Sequence, residues 1–156
     1  MESNKKLVFF DADGTLISIP YMKDHDRKGK EVEDYWFIAN AKKNAYSVCK
    51  PFKCMQKLIK EYIEAGVEVF LLSRETSPNA FINKKKFIAE GYPGCFDDDH
   101  MLYTATDADK IKILKIYAEV YNIPYENIEI WDDTLSIVLA ASHAGFTAHH
   151  ISEMLE

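Results

Sequence analysis

Asp11 and Asp13, two carboxylates separated by Ala12 and followed by Gly14-Thr15-Leu16, are the chain's clearest candidates for chemistry. Two acids at this spacing can take different parts on one phosphorus atom. The first is placed to attack. The second can give a proton to the departing oxygen and later take one from water. Gly14 lets the backbone turn tightly past a reacting phosphoryl group. A bare Asp-x-Asp reads as a polar turn. The apolar run Leu7-Val8-Phe9-Phe10 directly before it changes that reading. Such a run suits a strand buried on both faces, which puts the acids at a strand's carboxyl end.

Further runs of the same kind follow. Val67 to Leu72 ends in Ser73, Met101 to Tyr103 is a weaker third, Ile128 to Trp131 ends in Asp132, and Thr147 to Ile151 is a fifth. Helical patterns alternate with them. Phe52 to Ala65 carries one apolar face, with Pro51 in its first turn and Gly66 just past its end. Ala80 to Glu90 precedes Gly91, and Thr134 to Ala144 precedes Gly145. Between these two, Asp107 or Asp109 caps a helix whose apolar face includes Ile111, Leu114 and Tyr117. Strand and helix in alternation predict a single α/β domain over residues 1–156. It is a three-layer, doubly wound, Rossmann-like parallel sheet of about five strands with helices on both faces. In such sheets ligands bind at the carboxyl ends of the strands. Residues 17–50 break the alternation and read as a short flap, where Tyr21, Tyr35, Trp36 and Phe37 either line a substrate mouth or tuck the flap down.

With Leu-Val-Phe-Phe before it, Asp11-Ala12-Asp13-Gly14-Thr15-Leu16 resembles the first motif of the haloacid dehalogenase superfamily of phosphatases and phosphotransferases. The resemblance spans about residues 6–151, and the other motifs follow in order. It implies that Asp11 forms an aspartyl-phosphate and that Asp13 is the general acid and base. Leu71-Leu72-Ser73-Arg74 matches the second motif, so Ser73 would hydrogen-bond a phosphoryl oxygen with Arg74 nearby. Lys110 matches the third, with Lys112 as rival. The two lie about 200° apart around a helix, so only one can face the site. Trp131-Asp132-Asp133-Thr134 matches the fourth. The resemblance implies Mg²⁺ held by Asp11, the Asp13 backbone carbonyl and Asp132, with Asp133 as a direct or water-mediated ligand. Hard carboxylate oxygens suit that ion. Many relatives carry Gly before the first acid and another acid four residues later, where this chain has Trp131 and Ser136. That leaves the division of labour between Asp132 and Asp133 open.

The reading is therefore a Mg²⁺-dependent phosphomonoester hydrolase, acting on a nucleotide or another small phosphorylated metabolite. A phospho-signalling receiver or a silent phosphate-binding module is the alternative. A receiver needs an acid at the tip of its third strand, and here that strand ends near Thr104. Dehalogenation would leave Asp13 without work, because a halide needs no proton.

Composition narrows the partners. The net charge of −6 argues against general nucleic-acid binding, though a polynucleotide end stays among the substrates. A small lid leaves room for a bulky substrate or for closure by a second subunit, so a homo-oligomer is one expectation. Cys49, Cys54 and Cys95 are odd in number and lack zinc-site spacing. They read as reduced thiols, which fits a cytoplasmic protein. No apolar run reaches membrane-spanning length, and no membrane partner is expected. Asp97-Asp98-Asp99-His100 and Asp24-His25-Asp26 read as solvated charge, and His143, His149 and His150 receive no role.

Overall fold

The computed structural model describes residues 5–18, 45–75 and 77–154. β1 (Leu7–Phe10) is buried at every position, as a central strand covered on both faces must be. Its side chains alternate between two cores. Val8 and Phe10 point into one, Leu7 and Phe9 into the other. β4 (Glu68–Arg74) repeats the pattern, with Val69 and Leu71 on one side and Phe70 and Leu72 on the other.

With β5 (Met101–Thr104), β6 (Ile128–Asp132) and β7 (Thr147–His150) these strands form a sheet in the order β5-β4-β1-β6-β7. Every pairing in it is parallel. α1 (Lys53–Glu64) and α2 (Pro78–Gly91) cover one face through Met55, Ile59, Phe81 and Ile88. α3 (Asp107–Tyr121) and α4 (Leu135–Ala144) cover the other through Leu114, Ala118, Ile137 and Ala141. The chain builds outward from β1 to β4 and β5, then returns to the opposite side of β1 for β6 and β7. That reversal opens a crevice at the carboxyl ends of β1 and β6, where doubly wound sheets take their ligands. Among the described residues, no helix is long and apolar enough to cross a membrane.

Three helix starts differ from expectation; α2 begins at Pro78 and not Ala80, capped by the Ser77 hydroxyl, which accepts from the Ala80 N–H. Pro51 is not in the first turn of α1. It lies in β3 (Lys50–Pro51), paired antiparallel with β2 (Ile17–Ser18). Phe52, held to Leu16 by a backbone hydrogen bond of 3.3 Å, stands before the helix instead. A proline tolerates such an edge position because it has no N–H to leave unpaired. In α3 the cap is Thr106, neither Asp107 nor Asp109. Thr106 is extended, and its hydroxyl accepts from the Asp109 N–H at 3.2 Å. The two acids sit inside the first turn, where they favour the helix dipole. The β2–β3 pair closes the base of the expected flap. Tyr21, Tyr35, Trp36, Phe37 and Asp24-His25-Asp26 lie outside the described residues.

A buried acid marks the amino half of the sheet. Glu129 accepts from the Tyr62 hydroxyl at 2.6 Å and pairs with Lys6 at 2.9 Å, with His149 at 3.6 Å. Burial pushes its pKa up, but His149, Tyr62 and Lys6 outweigh burial and hold it at about 2, below the ordinary 4.5. The charged form therefore stabilises the fold above pH 4.5, and that contribution is lost as pH falls toward about 2. Glu129→Gln is expected to cost on the order of 3 kcal/mol at neutral pH. Denaturant unfolding followed against pH should show the gap to wild type closing under acid conditions.

Candidate active site

Asp11 leaves β1 with its N–H bonded to the Trp131 carbonyl of β6 at 2.9 Å. That bond ties the tips of the two strands flanking the crevice. The Lys110 ammonium, from the first turns of α3, bridges them again at side-chain level. It donates to Asp11 Oδ1 and to Asp132 Oδ2, each at 2.9 Å. Lys112 is exposed and pairs with Asp109 at 3.4 Å, so of the two it is Lys110 that faces the strand ends. Thr15 donates to Asp11 Oδ2 at 3.3 Å, and the Thr134 N–H donates to Asp132 Oδ1 at 2.9 Å.

Asp11, Asp132 and Asp133 offer carboxylate oxygens that all lie within 4.8 Å of one another. Burial pushes Asp11 well above the ordinary carboxylate range. Lys110 pulls it back, and Asp132 and Asp133 push it further up. Burial lowers Lys110, but Asp11 and Asp132 beside it outweigh that and raise it, so it stays charged. Among the described residues, Lys110 thus bridges two of the three clustered acids, Asp11 and Asp132. The cluster has an excess of negative charge and a set of hard oxygen donors, which fits a divalent cation.

Asp13 is held at both oxygens. The Tyr46 hydroxyl donates to Oδ1 at 3.0 Å, and the Lys84 ammonium sits 3.0 Å from Oδ2. Lys84 also donates to Ser73 Oγ at 2.8 Å and pairs with Glu75 at 3.3 Å. Arg74 does not join this group. It is exposed and pairs with Asp107 at 3.4 Å. The structure therefore brings Asp11, Asp13, Ser73, Lys110, Asp132 and Asp133 to one end of the sheet and leaves Arg74 at its margin.

Tyr46, Lys84 and Glu75 went unread in the sequence. Lys84 carried one usable signal: it lies on the helical face of Phe81 and Ile88, three residues after the one and four before the other. His150, given no role, lies 2.9 Å from the Asp133 carbonyl through Nε2. Asp97 and Asp99, both exposed, and the half-buried His100 form a separate group before β5, at the opposite end of the sheet from Asp11.

Gly14 has φ of +82°, and a Cβ there would fall 2.1 Å from Asp133 Oδ2. Gly14→Ala must strain the backbone and displace that carboxylate together. The expected result is a stability loss of about 1–3 kcal/mol. Thermal melting and turnover of the variant should fall together.

No protein-family model matches the sequence, and no curated protein matches it either. Solved structures do match. A haloacid dehalogenase family hydrolase from Deinococcus radiodurans, bound to phosphate and sodium, superposes with a TM-score of 0.62 at 14% identity, covering 96% of this chain and 81% of that one. A haloacid dehalogenase family enzyme from Bacteroides thetaiotaomicron, in complex with magnesium and inorganic phosphate, gives 0.58 at 15% identity, covering 94% and 93%. D,D-heptose 1,7-bisphosphate phosphatase from Burkholderia thailandensis gives 0.56 at 16% identity, covering 91% and 75%. These likenesses extend over nearly the whole chain, which has the haloacid dehalogenase-like hydrolase fold.

Proposed function

We propose that this protein is a Mg²⁺-dependent phosphomonoester hydrolase that works through an aspartyl-phosphate on Asp11. The observation that carries the reading is the Lys110 bridge from Asp11 to Asp132, with Asp133 alongside, at the switch point of the sheet. The neighbours bound to phosphate, and the one that is a sugar bisphosphate phosphatase, support the same class of reaction.

Asp11 Oδ2 is the oxygen that Lys110 leaves unbridged, and it attacks phosphorus while the bond to the leaving oxygen breaks. Lys110 spends two of its three donors on Asp11 and Asp132, which leaves the third for a phosphoryl oxygen. Ser73 Oγ, at the end of β4, supplies a hydroxyl proton to another. Asp13 gives its proton to the leaving oxygen. It then takes one from the water that hydrolyses the acyl phosphate and frees phosphate. Asp11, the Asp13 carbonyl, Asp132 and Asp133 would hold Mg²⁺, which when bound supplies charge neutralisation for the phosphoryl group. The substrate class is a nucleotide, a sugar phosphate or another small phosphomonoester.

The test is phosphate release from p-nitrophenyl phosphate and from a panel that begins with nucleotides, with Mg²⁺ and with EDTA. Release that needs Mg²⁺ is expected. Failure across the whole panel would count against the hydrolase reading and favour a binding role.

A further inference from the structure

Among the described residues, Lys84 is the most unusual that the reaction just described does not use. Its side chain is wholly buried. A buried ammonium survives only where its donors are met. It has three N–H donors, and three oxygens surround it: Ser73 Oγ at 2.8 Å, Asp13 Oδ2 at 3.0 Å and Glu75 Oε2 at 3.3 Å. With all three directions taken, Lys84 has none left for a phosphate. That separates it from Lys110. Its partners come from two different chain segments, the turn after β1 and the end of β4.

The geometry has two effects. Because Lys84 donates to Ser73 Oγ, it occupies a lone pair and leaves the hydroxyl proton to point elsewhere; the proton rests on the Arg74 carbonyl at 3.4 Å, a long bond that a phosphoryl oxygen can replace. Ser73 is thereby set as a donor. Because Lys84 fixes Oδ2 of Asp13 while Tyr46 fixes Oδ1, the plane of that carboxyl group is set from both sides. We infer that Lys84 is a positioning residue that aims Asp13 at the leaving oxygen and Ser73 at the phosphoryl group. The inference rests on the hydrolase reading above.

A residue that acts through the proton donor has a signature that a merely structural lysine lacks. Its loss hurts most where the leaving group most needs a proton. Nitrophenolate leaves readily without one, and an alkoxide does not. The full chain carrying Lys84→Met is compared with wild type on p-nitrophenyl phosphate and on an alkyl phosphate. The expected loss in kcat is about tenfold on the first and about a thousandfold on the second, within the range one general acid supplies. Lys85→Met, which removes a neighbouring ammonium paired with Asp98 at the surface, should leave both rates within about twofold.

Lys84→Met takes a cation from between two carboxylates, so a second variant, Lys84→Met with Glu75→Gln, removes one of those negative charges along with it. Circular dichroism establishes which variants are folded. A folded variant that loses equally on both substrates, or loses nothing, overturns the inference and leaves the hydrolase reading standing. If neither variant folds, Lys84 is a structural cation and the inference also falls. A wild type that hydrolyses neither substrate overturns the hydrolase reading and takes the inference with it.

Discussion

Asp11→Asn is expected to abolish turnover, by a factor on the order of 10⁴ or more, while the folded protein melts at or above the wild-type temperature. The two halves follow from different facts. Asparagine has the shape of aspartate but no nucleophilic carboxylate, so no acyl phosphate forms. The new amide would still accept from Lys110 or Thr15 through its carbonyl oxygen. The substitution also removes one charge from a buried cluster in which Asp11 already stands well above the ordinary carboxylate range, through burial and through Asp132 and Asp133. Relieving that crowding cannot weaken the fold much. Turnover on the best substrate of the panel and a thermal melt check the pair. Wild-type-like turnover would end the aspartyl-phosphate mechanism.

Lys110→Met is expected to act on both quantities at once. The ammonium is almost fully buried between Asp11 and a wholly buried Asp132. Removing it leaves two carboxylates facing each other without a cation, a loss of about 3–5 kcal/mol. Turnover should fall by about 10²–10³, the range for removing one donor to a developing oxyanion. Lys112→Met is the matched comparison. Its ammonium is exposed and pairs with Asp109 at the surface, so its stability should stay within about 0.5 kcal/mol of wild type. Chemical denaturation of the two variants reads the difference directly. Equal effects would mean that the Asp11–Lys110–Asp132 bridge is not what holds the strand tips together.

What the residues alone disclose has a physical pattern. Strands buried on both faces announce themselves as continuous apolar runs, so β1, β4 and β6 and the acids or hydroxyl at their tips were legible. Helix ends were legible where glycine terminates them, as at Gly66 and Gly145, both at positive φ. They were misread in two ways: Pro51 was drawn by tertiary pairing into the β2–β3 pair, and Thr106, whose hydroxyl accepts from the Asp109 N–H, took the cap from its acidic neighbours by a local bond. Lys84 stayed hidden because Lys84-Lys85-Lys86 reads as a solvated charge run. Only the rotation of α2 against the sheet turns the first of the three inward. Tyr46 stayed hidden because its contact with Asp13 spans a long stretch of chain that periodicity does not address.

The β2–β3 pair carries a consequence for how such a protein can diversify. Ile17 is bonded opposite Pro51, and the Phe52 N–H is tied to Leu16. The two ends of the segment expected to form the flap are therefore clamped together at one point of the domain. Doubling the length of such a closed segment costs only about 0.6 kcal/mol. A change of length or sequence between the two clamped ends then leaves the acids at the strand tips where they are. Tyr46 sets the limit on that freedom. It stands just before the clamp, and its hydroxyl reaches Asp13, so any workable replacement must bring a donor back to the same place.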